Sequence, residues 1–168
     1  MQNKQPWFKK WAKEIILFGI LFFLTSVVIN FIRQPEVPDN VLHNLHHQIV
    51  GAQEKYTPPA SNPVIVHFWG SWCPVCKTEI ANINALAKEY EVITIAVKSG
   101  SDQEIQAFLQ KHGLQLKVIN DEYGEIASSF GIEVFPTTLI YDSNGILKFS
   151  EVGYRTIAGL RGRMLFVK

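Results

Sequence analysis

The only two cysteines of this chain, Cys73 and Cys76, stand three residues apart at the junction of two segments with different periodicities. Before them, Val64, Ile65, Val66, Phe68 and Trp69 make a nearly continuous run of β-branched and aromatic residues, the pattern of a strand buried on both faces. His67 is its one polar member. Gly70 and Ser71 turn the chain, and from Cys73-Pro74-Val75-Cys76 through Lys77, Thr78, Glu79 and Ile80 the apolar residues take helical spacing. The order is therefore strand, tight turn, Cys-x-x-Cys, helix.

That order has a chemical reading. A thiol reacts as its thiolate, and the free N–H groups and positive dipole end of a helix N-terminus stabilise an anion. Cys73 is placed there. Pro74 suits the first helical turn, where its missing N–H has no partner to lose. Cys76 follows one turn later on the same face, so its sulfur can reach that of Cys73. In such a pair Cys73 attacks a substrate disulfide and Cys76 resolves the mixed disulfide. A zinc site and a structural disulfide are the two other uses of such a pair. Zinc needs two further ligands and there is no second Cys-x-x-Cys; a structural disulfide across so short a loop adds little stability. Redox chemistry is the expectation.

The stretch VHFWGSWCPVCKTE resembles the active-site segment of the thioredoxin superfamily, and more closely its membrane-anchored bacterial branch, the TlpA and ResA-like proteins. Within that branch, WCPVC and the ending VGYRTIAGLRGRM are most similar to the copper-sensitivity suppressor D type. The resemblance covers about Pro63 to the C-terminus. It implies a thioredoxin fold, no cofactor beyond the Cys73–Cys76 disulfide, and a cis-Pro136 whose loop, Phe135-Pro136-Thr137, lies against the cysteines. There the Phe135 backbone would pair with an extended substrate segment. It also implies that Glu79 helps tune the cysteines, the alternative being a solvated helix residue. His67 departs from thioredoxin, which has a buried Asp at this place as proton acceptor for the second cysteine; an imidazole could take that part, or be a satisfied core histidine. Trp72 is expected at the rim of the site and Trp69 in the core.

Ahead of this domain, Ile15 to Ile32 contains no charge. At about 1.5 Å per residue it nearly spans a bilayer core. Lys4, Lys9, Lys10 and Lys13 precede it and Arg33 is the only basic residue between its end and Lys55, which by the positive-inside rule keeps the N-terminus cytoplasmic and exports the rest. A cleaved signal peptide shares the basic start and apolar middle, but no small-x-small site follows the run. The expected organisation is a basic cytoplasmic tail over 1–14, a transmembrane anchor over 15–32, a linker over 33–61 and a thioredoxin-like domain over 62–168. Given the resemblance, the domain faces the periplasm from the inner membrane. Formal net charge is +1, but beyond Arg33 eleven basic residues face fourteen acidic ones, which argues against a nucleic-acid surface.

The linker carries Pro35, Pro38, Pro58 and Pro59 and a candidate helix from Asp39 to Gln53, on which His43 and His47 share a face with His46 beside them. These imidazoles, with the cysteines, define a second reading: a periplasmic copper-handling module. The Sco-type copper chaperones use Cys-x-x-x-Cys and a distal His, a spacing this chain lacks. A redox-dead adaptor is a third reading, which the intact pair opposes.

After the active-site helix, expected to reach Tyr90, a second strand spans Val92 to Val97. Ser101 and Glu104 form a capping box for a helix closed by Gly113. A third strand covers Leu116 to Ile119, and a helical turn or two covers Glu122 to Phe130. Thr138–Tyr141 and Ile146–Val152 flank Asp142-Ser143-Asn144-Gly145, a hairpin signal. Thr156 to Val167 is a last helix. The fold class is α/β, a central mixed sheet flanked by helices, with Ser101–Ile119 matching an insertion of the TlpA-like branch. The resemblance points to a membrane-anchored reductase acting on thiols and disulfides of exported proteins, reduced in turn by a membrane thiol electron carrier of the DsbD kind.

Overall fold

Continuous apolar character puts Val64–Trp69 (β1) at the centre of the sheet, every residue of it buried. The computed structural model describes residues 7–32, 34–39, 41–59 and 61–167, with side chains in the first helix at 11–25, 28 and 29. In chain order the elements are α1 (Trp7–Ile32), β1, α2 (Pro74–Leu86), β2 (Glu91–Val97), α3 (Asp102–Lys111), β3 (Lys117–Asp121), α4 (Glu125–Ser129), β4 (Thr137–Tyr141), β5 (Leu147–Val152) and α5 (Ile157–Met164). They fall into two units, Met1–Gln34 and Pro35–Lys168.

The sheet order is β3-β2-β1-β4-β5. β1, β2 and β3 run parallel, whereas β4 is antiparallel to β1 and β5 to β4. The pleat sends alternate residues of β1 to opposite faces. Val64, Val66 and Phe68 enter one core with Leu42, Leu45, Ile93, Ile95, Phe130 and Leu139, where the Phe68 and Phe130 rings lie 5.2 Å apart. Ile65 and Trp69 enter the layer under α2, α3 and α5, with Ile83, Leu86 and Leu160 at one end and Cys73, Cys76, Ile80 and Ile105 at the other. His67 lies between Ile65 and Trp69 on this second face, in register with Thr94 on one side and Thr138 on the other; Thr138 in turn faces Glu151 of β5. A polar row thus crosses the sheet behind the helix that carries the cysteines.

Several boundaries differ from the sequence expectation for local reasons. α2 stops at Leu86 instead of Tyr90, where turn hydrogen bonds from Glu89 and Tyr90 N–H to the Leu86 carbonyl deliver the chain to β2. α4 is shorter than Glu122–Phe130 because Asp121, at the end of β3, accepts the N–H groups of Ile126 and Ala127 at 3.1 and 2.8 Å and starts the helix late. The Ser101–Glu104 capping box forms, and Gly113 takes φ +61° just after α3. Thr156 caps α5 instead of belonging to it.

The expected linker differs most. Residues 35–59 belong to the second unit, with Leu42, Leu45, Ile49 and Tyr56 buried in the first core. The apolar spacing that predicts a helix over Asp39–Gln53 is met instead by a short 3-10 turn, Leu42–Asn44, followed by extended chain. Ile49 bridges to Ile119 and the Val50 N–H donates to the Val118 carbonyl at 2.8 Å, covering part of the outer edge of β3. His43 and His47 therefore share no helical face.

α1 has 26 residues and its described apolar side chains, including Ile15, Leu17, Phe18, Phe22 and Phe23, are exposed. Among the described residues no helix is long and apolar enough to cross a membrane. The bilayer-spanning expectation for Ile15–Ile32 is thus not carried by the structure. Residues 1–6 and Arg33, with Lys4 and Arg33 of the expected charge asymmetry, lie outside the described residues.

Candidate active site

Cys73 is the N-cap residue of α2 and has extended backbone (φ −86°, ψ 114°), with Pro74 in the first turn. Its N–H donates to the Gly70 carbonyl at 3.1 Å, closing the turn that leaves β1. Its sulfur accepts the Cys76 N–H at 3.2 Å, a bond that uses one of the helix's unpaired N-terminal donors. Cys73 and Cys76 form a disulfide with Cα atoms 5.3 Å apart. Cys73 keeps 5% of its surface and Cys76 none, so only the first sulfur is open to attack by a partner.

Trp72 is 53% exposed. Its Nε1 donates to the Val97 carbonyl at 3.0 Å, and its ring stands edge-on to Phe135 at 5.7 Å. A Cβ on Gly70 would come within 2.6 Å of that ring, so glycine is needed for Trp72 to lie across the turn. The Phe135–Pro136 peptide is cis, and the Phe135 carbonyl oxygen is 3.9 Å from Cys73 Sγ. Thr137, the first residue of β4, donates its hydroxyl to the Val134 carbonyl at 2.7 Å and closes the loop. Trp72, Phe135, Ala127, Ile132, Lys98 and Glu133 line a cleft of about 280 Å³ beside the disulfide.

Two buried titratable groups stand behind the cysteines. Glu79 lies on α2 one turn beyond Cys76 and is fully buried. Its Oε1 accepts the backbone N–H of Arg155 at 3.0 Å, while Oε2 has no partner among the described residues. Burial raises its pKa from 4.5 to about 7, and the Arg155 N–H and positive charge pull the other way. His67 is also fully buried; Nδ1 is 2.9 Å from Thr138 Oγ1 and Nε2 has no partner among the described residues. Burial lowers its pKa to about 3, so it is neutral at pH 7 and too weak a base to take a thiol proton. Of the two candidate acceptors, Glu79 has the matched affinity. His67 is a half-satisfied core histidine.

The structure thus gathers Trp72, Cys73, Pro74, Cys76, Phe135, Pro136 and Thr137 at one end of the sheet, with Cys76, Pro136 and Thr137 buried, and places Glu79 and His67 in the layer beneath. It does not gather the linker histidines. His43 and His46 line one cleft with Asp142 and Asn144, whereas His47 lines another with Asp102 and Tyr123. Among the described residues no group of three His, Cys, Asp or Glu side chains is arranged to hold a metal ion. Arg155 and Glu151 were not singled out by sequence reasoning, although Arg155 sits in the VGYRT segment that contributes to the resemblance.

The AhpC/TSA family model matches residues 27–150, most of the chain. The chain belongs to the AhpC/TSA family. It is 31% identical over 162 residues to a thioredoxin-like protein of Haemophilus influenzae, covering 93% of this chain and 96% of that one. It is 27% identical over 135 residues to the thiol-disulfide oxidoreductase ResA of Geobacillus thermodenitrificans, covering 78% and 75%. Among solved structures, StoA from Bacillus subtilis superposes with a TM-score of 0.63 at 21% identity, covering 71% of this chain and 94% of that one, which shows the shared thioredoxin fold. With its cysteine pair at the start of α2, this family member is a thioredoxin-like thiol-disulfide oxidoreductase.

Proposed function

We propose that the protein is a membrane-anchored periplasmic reductase that acts on disulfides of exported proteins and is recharged by a membrane thiol carrier of the DsbD kind. The observation that carries the redox assignment is the asymmetry of the pair: Cys73 Sγ is reachable at the helix N-terminus and faces the Phe135 carbonyl, while Cys76 is sealed beneath it. In the reduced protein the Cys73 thiolate attacks one sulfur of a substrate disulfide, and the other sulfur leaves as a thiolate that takes a proton from water. Cys76 then gives its proton to Glu79 and attacks Cys73 Sγ. The Cys73–Cys76 bond forms, the mixed disulfide breaks, and the second substrate sulfur leaves. The protein dithiol is oxidised and the substrate disulfide is reduced; no group other than the two sulfurs carries electrons. Trp72 and the Phe135 carbonyl stand next to the attacking sulfur, and the Phe135 backbone would pair with an extended substrate segment.

The reducing direction rests on what stabilises the thiolate. Cys73 has the Cys76 N–H and the helix terminus, but the side chains of Pro74 and Val75 supply no further donor, whereas strongly oxidising couples owe their potential to a strongly stabilised reduced form. Equilibration with glutathione buffers, read by alkylation of Cys73, should give a potential nearer thioredoxin than DsbA, roughly −270 against −120 mV. A value close to that of DsbA would make the protein an oxidase.

The anchor rests on the apolar, exposed run of α1 and on the four lysines before it against the single Arg33 after it. Protease added to cells with a permeabilised outer membrane should remove residues beyond the anchor. A domain that stays protected under those conditions would overturn the topology.

A further inference from the structure

The loop between β5 and α5, Gly153 to Thr156, belongs to no step described so far, yet it touches both the Pro136 loop and the buried carboxylate behind the cysteines. Its Gly153 N–H donates to the Pro136 carbonyl at 2.8 Å, and its Arg155 N–H donates to Glu79 Oε1 at 3.0 Å. The Arg155 Nε is paired with Glu151 Oε2 on β5. Glu151 is itself buried and shares its other oxygen with Arg163 of α5, whose Nη1 donates to the Gly159 carbonyl at 3.0 Å. On the other side, Asn82 of α2 donates to Tyr154 Oη at 3.3 Å and to the Arg155 carbonyl at 3.5 Å. Three elements therefore grip four residues, and the backbone donor they hold in place is the one that meets Glu79.

We propose that Arg155, clamped by Glu151, is a positioning residue for the redox step, holding the donor and the positive charge that keep Glu79 able to accept a proton from Cys76. The assignment rests on the role given to Glu79 above. Charged and polar side chains on this side of the sheet come from every neighbouring element. On α2 itself these are Cys76 and the exposed Lys77; β1 contributes the neutral His67, β4 the uncharged Thr138, β5 Glu151, the loop Arg155 and α5 Arg163. Arg155 is the only one of these to donate directly to the Glu79 carboxylate among the described residues. Without the guanidinium, only the backbone N–H of residue 155 opposes burial, and the Glu79 carboxyl keeps its proton to higher pH, when it is needed as a base.

The test follows the Glu79 carboxyl by carbon NMR in the oxidised full-length protein, together with the pH profile of the Cys73–Cys76 potential in glutathione buffers. Wild type should titrate near pH 7. Arg155→Ala should move the carboxyl midpoint and the associated step of the profile upward by about one pH unit, roughly tenfold in proton affinity. Arg155→Lys, which keeps the charge but not the fork, should return part of the shift. Glu79→Gln should abolish the step. If Glu79→Gln abolishes it while Arg155→Ala, folded by circular dichroism, leaves the wild-type midpoint in place, the assignment of Arg155 is overturned and the role of Glu79 stands. If Glu79→Gln retains the wild-type profile, the role of Glu79 fails and the assignment of Arg155 falls with it.

Discussion

Replacement of Cys73 by Ser is expected to lower disulfide reduction by several orders of magnitude, because the only sulfur with access to a partner is replaced by a hydroxyl that is not ionised at neutral pH. Cys76→Ala should behave differently. It keeps the first step and loses the second, so Cys73 stays covalently joined to whatever it has attacked. Cells expressing that variant should accumulate adducts that disappear on reduction and can be identified by mass spectrometry. The two substitutions together separate attack from resolution. Adducts on the Cys73→Ser protein, with none on Cys76→Ala, would reverse the roles and contradict the burial of Cys76.

The second large effect is on stability against pH. His67 is neutral in the folded protein, with a pKa of about 3 against 6.5 for an ordinary imidazole. Between those values the unfolded chain holds a proton that the folded one lacks, so His67 contributes stability above pH 6.5 that is lost as pH falls toward 3. Glu79 acts in the opposite sense. Its folded pKa of about 7 lies above 4.5, the folded protein holds the extra proton, and stability declines as pH rises between those values. Each slope is about 1.4 kcal/mol per pH unit. From about pH 4.5 to 6.5 the two cancel, and the oxidised protein should show a nearly flat unfolding free energy. Glu79→Gln should uncover the His67 slope, stability climbing with pH up to about 6.5. His67→Gln should uncover the other, stability falling with pH from about 4.5 to 7. Denaturant titrations at half-unit steps read both. Single variants that leave the plateau flat would show that neither group titrates as its burial dictates.

The sequence and the structure agree best where a local pattern was also the global one. The apolar run of β1, the Ser101–Glu104 capping box and the Asp142–Gly145 turn each specify their own conformation, and each forms. Cys73 at a helix N-terminus needs only the residues next to it. Residues 35–59 show where such reasoning stops. Leu42, Leu45 and Ile49 have helical spacing, but the sheet offers them an open face and an unpaired edge, and tertiary burial outweighs a weak helical preference. His43, His46 and His47 would come together only on a continuous helix, which this stretch does not form. Glu79 and His67 were visible as residue types, yet their ionisation depends on burial and on partners far along the chain, which no local pattern encodes. The contact of Arg155 with Glu79 spans 76 positions, and nothing near Arg155 announces it.

The same long separations have a consequence for biosynthesis. Cys73 and Cys76 leave the ribosome with β1, whereas the Phe135 carbonyl that faces Cys73 follows 62 residues later and the Arg155 loop later still. Strand β1 also waits for β4 to close its second edge, a non-local pairing that forms slowly. For that interval the thiols are reactive before the surfaces that select their partners exist. In a chain with distant cysteines, oxidation at this stage would lock in a wrong topology. Here the two thiols are the only ones, and their bond closes a loop so short that it restrains almost none of the unfolded chain. Early oxidation of this pair therefore leaves every later strand free to find its place.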